Sequence, residues 1–349
     1  MRNRIINEDL ARIAGSDLPW AEFAGKTALV SGANGFLPAY MVETFLYLNE
    51  RRNSAPTTVL ALVRSREKAE ARFAHYKGRK DLQFLVQDVC EPVRLDGPVD
   101  YIIHAASQAS PKYYGVDPVG TLTANTLGTH HLLTLARDKR SAAFLFFSSG
   151  DVYGQVDPAG KPIREDAYGV VDPTAVRSCY GESKRLGETM CVCWAYQYKV
   201  PTRMVRPFHT YGPGMKLDDG RVFADFVADI VNNRDIVMKS DGAAVRPFCY
   251  LADAAIGYFT VLLKGQPGQA YNVGNDRAEV SVRDLAHILV GLFPEKKLRV
   301  IQREGVQPPG YLQTKVVRIC PDLSKIRQLG WEPSTSVEEG FRRTIESFS

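Results

Sequence analysis

No stretch of this chain approaches the roughly 20 consecutive apolar residues that a membrane-spanning helix requires, so the reading has no membrane in it. The N-terminus, M-R-N-R-I-I-N-E-D-L, lacks the apolar centre of a secretory signal. There is no Cys-x-x-Cys pair. The six cysteines stand apart at 90, 179, 191, 193, 249 and 320, and no Cys/His cluster forms, so no metal site is expected. They read as reduced cytoplasmic thiols, mostly in the core. A large charge of one sign is missing too. A net charge of +5 over 349 residues is no nucleic-acid signature, though it suits an anionic small molecule. His130-His131 reads as structural. Without repeats or low-complexity linkers, a chain 45% hydrophobic and 24% charged is an ordinary soluble globular protein.

What is present is an alternation of strands and helices. Thr27–Ser31 is an apolar run of buried-strand length, closed by Gly32, with a helical pattern through Tyr40–Asn49. Val59–Val63, Gln83–Val86, Tyr101–His104, Ala143–Phe147 and Thr202–Val205 read as further strands. Leu122–Ala136 and Lys184–Tyr198 read as helices. The pattern predicts an α/β fold with a doubly wound parallel sheet covered on both faces. After Pro207 the texture turns to loops, with helices at Val222–Asn232 and Ala254–Leu263, then a helix, the turn G-W-E-P and a closing helix. The expected organisation is an amphipathic extension over 1–24, a dinucleotide-binding domain over 25–206, and a smaller lobe over 207–349 with chain crossovers. The extension packs on the domain or at an interface.

Gly32-Ala33-Asn34-Gly35-Phe36-Leu37-Pro38 follows the first strand and opens a helix. In that position glycines permit a tight turn and close approach to a pyrophosphate, which rests at the helix N-terminus. Pro38 stands where a third glycine is usual, and a first helical turn tolerates it. The end of the second strand reads the ribose. An acidic residue there favours NAD. Here Leu62-Val63-Arg64-Ser65-Arg66 offers Arg64, which suits the 2′-phosphate of NADP or stacks on adenine. Asp88-Val89 meets the adenine edge, and Ala105-Ala106 after His104 lets the backbone approach the cofactor.

Tyr180 and Lys184 are four residues apart, one helical turn, and face the same way. A tyrosine is a poor base at neutral pH because its free pKa is about 10. A neighbouring ammonium is expected to lower it. Such a pair takes a proton from a sugar or alcohol hydroxyl while a nicotinamide takes the hydride.

Taken in order, G-A-N-G-F-L, D-V, H-A-A, S-S-G-D-V-Y-G, Y-G-E-S-K and R-P-F-H-T-Y-G-P resemble the extended short-chain dehydrogenase/reductases. The resemblance is to their nucleotide-sugar epimerases, dehydratases and decarboxylases. It covers nearly all the chain after residue 25. It implies a Rossmann-type fold, a retained and recycled NAD, and a nucleoside-diphosphate sugar as substrate. It further implies Ser149 and Tyr180 on the sugar C4 oxygen, Lys184 on the nicotinamide ribose, and a homodimer formed through the helices at 122–136 and 184–198. Within the group the chain looks most like UDP-glucuronate decarboxylases, in the A-S-P-K-Y-Y loop with Lys112 and Tyr113, in Y-G-E-S-K-R, in D-G-R-V with Arg221, in R-P-F-C-Y with Arg246, and in G-W-E-P.

Two positions depart from that pattern. Decarboxylases read S-T-S-E-V-Y-G and 4,6-dehydratases S-T-D-E-V-Y-G, where this chain reads Ser148-Ser149-Gly150-Asp151-Val152. Gly150 supplies no acid for a departing C6 oxygen, which disfavours dehydration. Asp151 is one methylene shorter than the usual glutamate, and reads as a catalytic carboxylate or as a turn cap. His209 stands where an asparagine commonly contacts the sugar diphosphate, and a histidine titrates near pH 6.5. The expected reaction is C4 oxidation followed by decarboxylation of a nucleoside-diphosphate uronate. Arg246 orients the carboxylate or the diphosphate. A 4-epimerase, then a 4,6-dehydratase, and, from a different class, an idle NAD-binding protein are the alternatives.

Overall fold

The computed structural model describes residues 3–52, 54–156, 161–303 and 318–348. The chain opens with α1 (Arg4–Ala14), capped by the Asn3 side chain, which accepts from the Ile5 and Ile6 amides. There follow β1 (Thr27–Ser31), α2 (Phe36–Arg51), β2 (Thr58–Val63), α3 (Arg66–Arg72), β3 (Leu82–Val86), β4 (Tyr101–His104), α4 (Pro118–Lys139), β5 (Ala143–Phe147), α5 (Ser178–Tyr198) and β6 (Thr202–Pro207). The later part holds β7 (Thr210–Tyr211), α6 (Val222–Val231), β8 (Ile236–Met238), β9 (Val245–Pro247), β10 (Cys249–Tyr250), α7 (Leu251–Lys264), β11 (Gln269–Val273), β12 (Glu279–Ser281), α8 (Val282–Leu292), β13 (Val300–Gln302), α9 (Ser324–Arg327) and α10 (Val337–Glu346).

Seven strands form one parallel sheet in the order β11-β6-β5-β4-β1-β2-β3. The order reverses between β1 and β4, and in such sheets ligands bind in the crevice beyond the carboxyl ends at that switch. Successive strand residues point to opposite faces. Ala28, Val30 and Leu145 therefore join one core with α2 and α7, while Leu29, Phe144 and Phe146 join the other with α4 and α5. That two-sided burial is why the strands read as continuous apolar runs rather than alternating ones. Helix α4 starts on Asp117, whose carboxylate accepts from the Gly120 amide, with Pro118 in the first turn, where its missing N–H costs nothing.

The smaller lobe is built from α6, α8 and α10 with the short pairs β13–β8 and β12–β9. Its chain does not stay separate: α7 packs against the large sheet and β11 extends that sheet beside β6. Helix α1 lies against α2 and α7. Its buried Asp9 accepts hydrogen bonds from Tyr40 on α2 (3.1 Å), from Tyr250 (2.7 Å) and from Arg343 on α10 (2.8 Å). Trp331 is buried in the G-W-E-P turn and donates its indole N–H to the Asp253 carbonyl at 3.0 Å. The cysteines are less buried than expected. Cys191, Cys249 and Cys320 lie in the core, Cys90 and Cys179 are partly covered, Cys193 is exposed, and all six are free.

Candidate active site

A cleft of about 2670 Å³ runs beyond the carboxyl ends of β1, β2, β4 and β5 and into the smaller lobe. Every residue singled out from the sequence for cofactor, catalysis or substrate lines it.

The cofactor end is a main-chain construction. Gly32 has φ +65°, and a Cβ there would stand 2.8 Å from the Cα of Ala106. Only glycine fits, because the left-handed conformation and the contact both exclude a side chain. Gly35 then caps α2, and Pro38 occupies its first turn without breaking it. The first N–H groups of a helix have no partner within it, and these face the cleft. The Ser31 hydroxyl joins β1 to β4: it accepts from the Ala105 and Ala106 amides, each at 3.1 Å, and meets His104 Nδ1 at 2.8 Å. With two amides donating to it, the hydroxyl gives its own proton to Nδ1. The His104 Nε2 proton then points to Thr129 Oγ1 at 3.1 Å. Burial lowers the His104 pKa to about 3, so the ring is neutral and serves as a spacer. Ser31 and Thr129 were not singled out from the sequence. Their signal is a polar residue inside an apolar run.

These features fit a dinucleotide. The buried hydroxyls of Ser107 and Ser148, at the ends of β4 and β5, have no hydrogen-bond partner among the described residues, and both face the cleft. Arg64 is exposed at the rim just after β2, with no carboxylate beside it in L-V-R-S-R. Asp88 is exposed beyond β3, and its side chain accepts from the Cys90 amide at 2.9 Å. Val89 beside it is buried.

Tyr180 and Lys184 are both buried on the first turns of α5, one turn apart as their spacing predicts. The expected effect of the lysine on the tyrosine is corrected by the structure. The Lys184 ammonium donates to the Phe147 carbonyl at 2.6 Å, and the Tyr180 pKa is pushed up rather than down. Burial is the main cause and the Asp151 carboxylate adds to it, against a hydrogen bond from Ser149 and the charge of Arg221. Burial also lowers Lys184 to about 7. The phenol thus sits in a desolvated place where a cationic neighbour would act strongly.

Ser149 starts the 3-10 turn Gly150–Tyr153, and its hydroxyl accepts from the Asp151 amide at 3.1 Å. Asp151 is therefore in the turn that Ser149 caps, with its own carboxyl facing the cleft. Burial raises its pKa, opposed by Arg177, Arg246 and Arg221. Arg177 Nη1 lies 4.0 Å from its Oδ2. Gly150 packs against Phe208: an added Cβ would lie 3.2 Å from the ring, so an acid at this position would have to displace it.

Three substrate-side residues sit differently from expectation. His209 does not titrate near 6.5; burial, then Arg246 and Arg221, lower it to about 3, and its buried Nδ1 has no partner among the described residues. Lys112 does not reach freely into the cleft, since its ammonium donates to the Asp218 carbonyl at 2.8 Å and pairs with the Asp218 carboxylate at 3.3 Å. Arg221 is held by the Asp219 carboxylate. Tyr113 lines the cleft beside Lys112, whose ammonium lies 5.5 Å from the centre of its ring. Arg246 Nη1 donates to the Val245 carbonyl at 2.8 Å. Arg177 and Tyr114 were missed. Arg177 precedes the catalytic turn by three positions, a spacing that carries no signal until the helix is seen.

Among known proteins, the family model "NAD dependent epimerase/dehydratase family" matches residues 28–274. UDP-glucuronic acid decarboxylase 3 of Arabidopsis thaliana is 32% identical over 322 residues, covering 92% of this chain and 88% of that protein. Two solved structures share the fold at 21% identity, each covering 92% of this chain and 98% of its own. They are a UDP-glucose 4-epimerase from Thermotoga maritima with UDP-glucose (TM-score 0.76) and a UDP-glucuronic acid 4-epimerase from Bacillus cereus with UDP-glucuronic acid and NAD (TM-score 0.75). With the glycine turn, the switch-point cleft and the buried Tyr180–Lys184 turn already in view, the match over residues 28–274 means that this chain belongs to the NAD dependent epimerase/dehydratase family and is an NAD-dependent enzyme.

Proposed function

We propose that this enzyme acts on a nucleoside-diphosphate uronate, oxidising its sugar at C4 and removing C6 as carbon dioxide. The observation that carries the reading is electrostatic. Beside Tyr180, the guanidinium groups of Arg177, Arg246 and the Asp219-paired Arg221 surround the carboxylate of Asp151, with Arg177 Nη1 4.0 Å from its Oδ2. A uronate carboxylate entering that field is favoured, because guanidinium groups fork onto carboxylates. Gly150, closed by Phe208, offers no acid for expelling a C6 hydroxyl. The 32% identity with UDP-glucuronic acid decarboxylases points the same way.

When bound, NAD supplies the acceptor for the C4 hydride and gives it back at the end of the turnover. Tyr180 takes the proton of the C4 hydroxyl, and Ser149 holds the C4 oxygen. The resulting ketone is β to the carboxylate, so the C5–C6 electron pair moves into it as carbon dioxide leaves. Ser149 and Tyr180 then hydrogen-bond the enolate oxygen as its charge develops. Lys184, fixed to the Phe147 carbonyl, holds its amino group one turn from the phenol. Arg246 and His209 also meet the substrate, His209 as a neutral hydrogen-bonding ring.

The reading includes a homodimer. Helices α4 and α5 pack together and leave Val119, Leu122, Leu127, Leu186, Val192 and Tyr196 exposed, an apolar face suited to a second copy. Light scattering should give twice the 38.8 kDa chain mass.

The deciding experiment is mass spectrometry of UDP-glucuronate after incubation with the NAD-loaded protein. Loss of carbon dioxide supports the reading. An unchanged mass with altered retention means 4-epimerisation, and loss of water means dehydration; either replaces it. Tyr180→Phe should lower kcat by about 10²–10⁴-fold with NAD still bound. No turnover by the unaltered enzyme on any nucleotide sugar would leave an idle NAD-binding protein.

A further inference from the structure

The loop after β4 ends in a residue with no role so far. Tyr114 is buried, and its ring lies nearly parallel to that of Tyr180, with centroids 5.0 Å apart and an interplanar angle of 16°. Such an offset stack has a preferred geometry, so one ring constrains the other. Tyr114 itself is held from three sides. Its hydroxyl donates to the Ala109 carbonyl at 3.1 Å. Its amide donates to the Pro111 carbonyl at 3.2 Å. The Arg177 guanidinium lies 5.9 Å from the centre of its ring, and the same arginine faces Asp151. The loop is also fastened to the smaller lobe: the Ser110 hydroxyl donates to the Asp219 carbonyl, and Lys112 reaches Asp218.

We propose that Tyr114 is a positioning residue for Tyr180, acting through the stacked rings and not by touching substrate. Its hydroxyl is spent inside its own loop, so what it offers the site is a flat, immobile face. A phenol that exchanges a proton with a sugar hydroxyl has to hold its oxygen within hydrogen-bond reach and in line, and small misplacements are costly. Helix α5 fixes the Cα of Tyr180, the hydroxyl of Ser149 meets its tip, and Tyr114 fixes the plane between them. The groups facing Tyr180 from the packed elements are Ser149 and Asp151 from the 3-10 turn, Lys184 from α5 and Arg221 from the loop before α6. Of these, the Lys184 ammonium lies over the ring face, 5.7 Å from its centre, and Tyr114 supplies the stacked aromatic plane. The fastening to Asp218 and Asp219 gives the loop a second consequence: a shift of the segment before α6, from which Arg221 projects, is passed to the catalytic ring.

The inference rests on Tyr180 being the proton-transferring group of the proposed reaction, and the test separates the two. Tyr114→Phe keeps the ring and loses the hydroxyl; Tyr114→Leu loses the ring. In the NAD-loaded protein with ring-labelled tyrosine, the Tyr180 resonance is identified by its loss in Tyr180→Phe. It should move in Tyr114→Leu and stay in Tyr114→Phe. With UDP-glucuronate, the leucine variant should lose kcat by about tenfold or more, while KM changes less than about threefold and phenylalanine restores the rate. An unmoved Tyr180 resonance in Tyr114→Leu overturns the proposal, as do equal kcat losses in the two variants. If the unaltered enzyme does not turn over, the decarboxylation reading falls, and the resonance still decides the role of Tyr114. Should the leucine variant fail to fold, Arg177→Gln removes the outer cover of the stack. A smaller displacement of the same resonance then supports the proposal, and no displacement overturns it.

Discussion

At one end of the cleft a single methyl group would collide with backbone; at the other, charged side chains arrive from four separate stretches of chain. Gly32 meets Ala106 Cα, and Ser31 ties the two strand ends together, so the dinucleotide end is shaped by main chain within one sheet. The sugar end is shaped by Asp151, Arg177, His209, Arg221 and Arg246, none in the same element as another except through loops. A main-chain site has few ways to vary without failing. A side-chain site can change one residue at a time, as Gly150 and His209 show against the pattern the chain otherwise resembles.

That contrast can be broken by substitution. Gly32→Ala should have the largest effect, weakening NAD binding by at least about 100-fold, because it adds a clash to a left-handed backbone. Calorimetric titration with NAD, with circular dichroism to verify folding, measures it; retained affinity would mean that the main chain does not define this end. Arg246→Ala should come next, raising KM for UDP-glucuronate about 10–100-fold with a smaller change in kcat, as loss of a charge-assisted contact made before the transition state does. A fall in kcat with KM unchanged would put Arg246 in the chemical step instead.

Lys184→Met should show a change in slope rather than a loss. The amine is lowered to about 7 when folded, against about 10.4 in an unfolded chain. Between those values the unfolded chain holds a proton that the folded chain does not, so this lysine makes stability rise with pH. Urea unfolding of the cofactor-free protein at pH 7 and pH 9.5 should show the wild type gaining on the methionine variant over that interval. No gain over that interval would mean that Lys184 keeps its proton on folding. The smallest effect belongs to His209→Asn. With the ring neutral above pH 4, the replacement should change KM by no more than about threefold and leave the pH–rate profile between pH 5 and 8 unshifted. A limb near pH 6.5 that vanished with the substitution would show the ring titrating in the complex.

The same contrast explains what could be read in the sequence. The strands Tyr101–His104 and Ala143–Phe147 were legible to the residue, because strands buried on both faces are unbroken apolar runs between turn signals. The periodic pattern of helix α2 was read from Tyr40, and its start from the glycine turn that opens it. Strand β11, Q-A-Y-N-V, was not seen at all: a polar Asn272 interrupts it, and that amide is buried against Tyr153 and the Ile163 carbonyl. Helix α8 was missed between two short strands, although Ser281 caps it through the Asp284 amide. At the site, the residues named from motif spacing all line one cleft. That spacing misjudged their partners, because Phe147 for Lys184, Asp218 for Lys112 and Asp219 for Arg221 are pairings that only the folded chain makes.

The position of β11 also bears on how the chain is made. Six strands of the sheet are complete by Pro207, but among the described residues the outer side of β6 is paired only by residues 269–273. A nascent or truncated chain that stops short of Gln269 therefore presents a bare, bonding-competent strand edge, the kind that recruits other chains. The last strand to arrive is the one that closes the sheet, and any shortened version of this protein ending before it should be prone to aggregate for that reason.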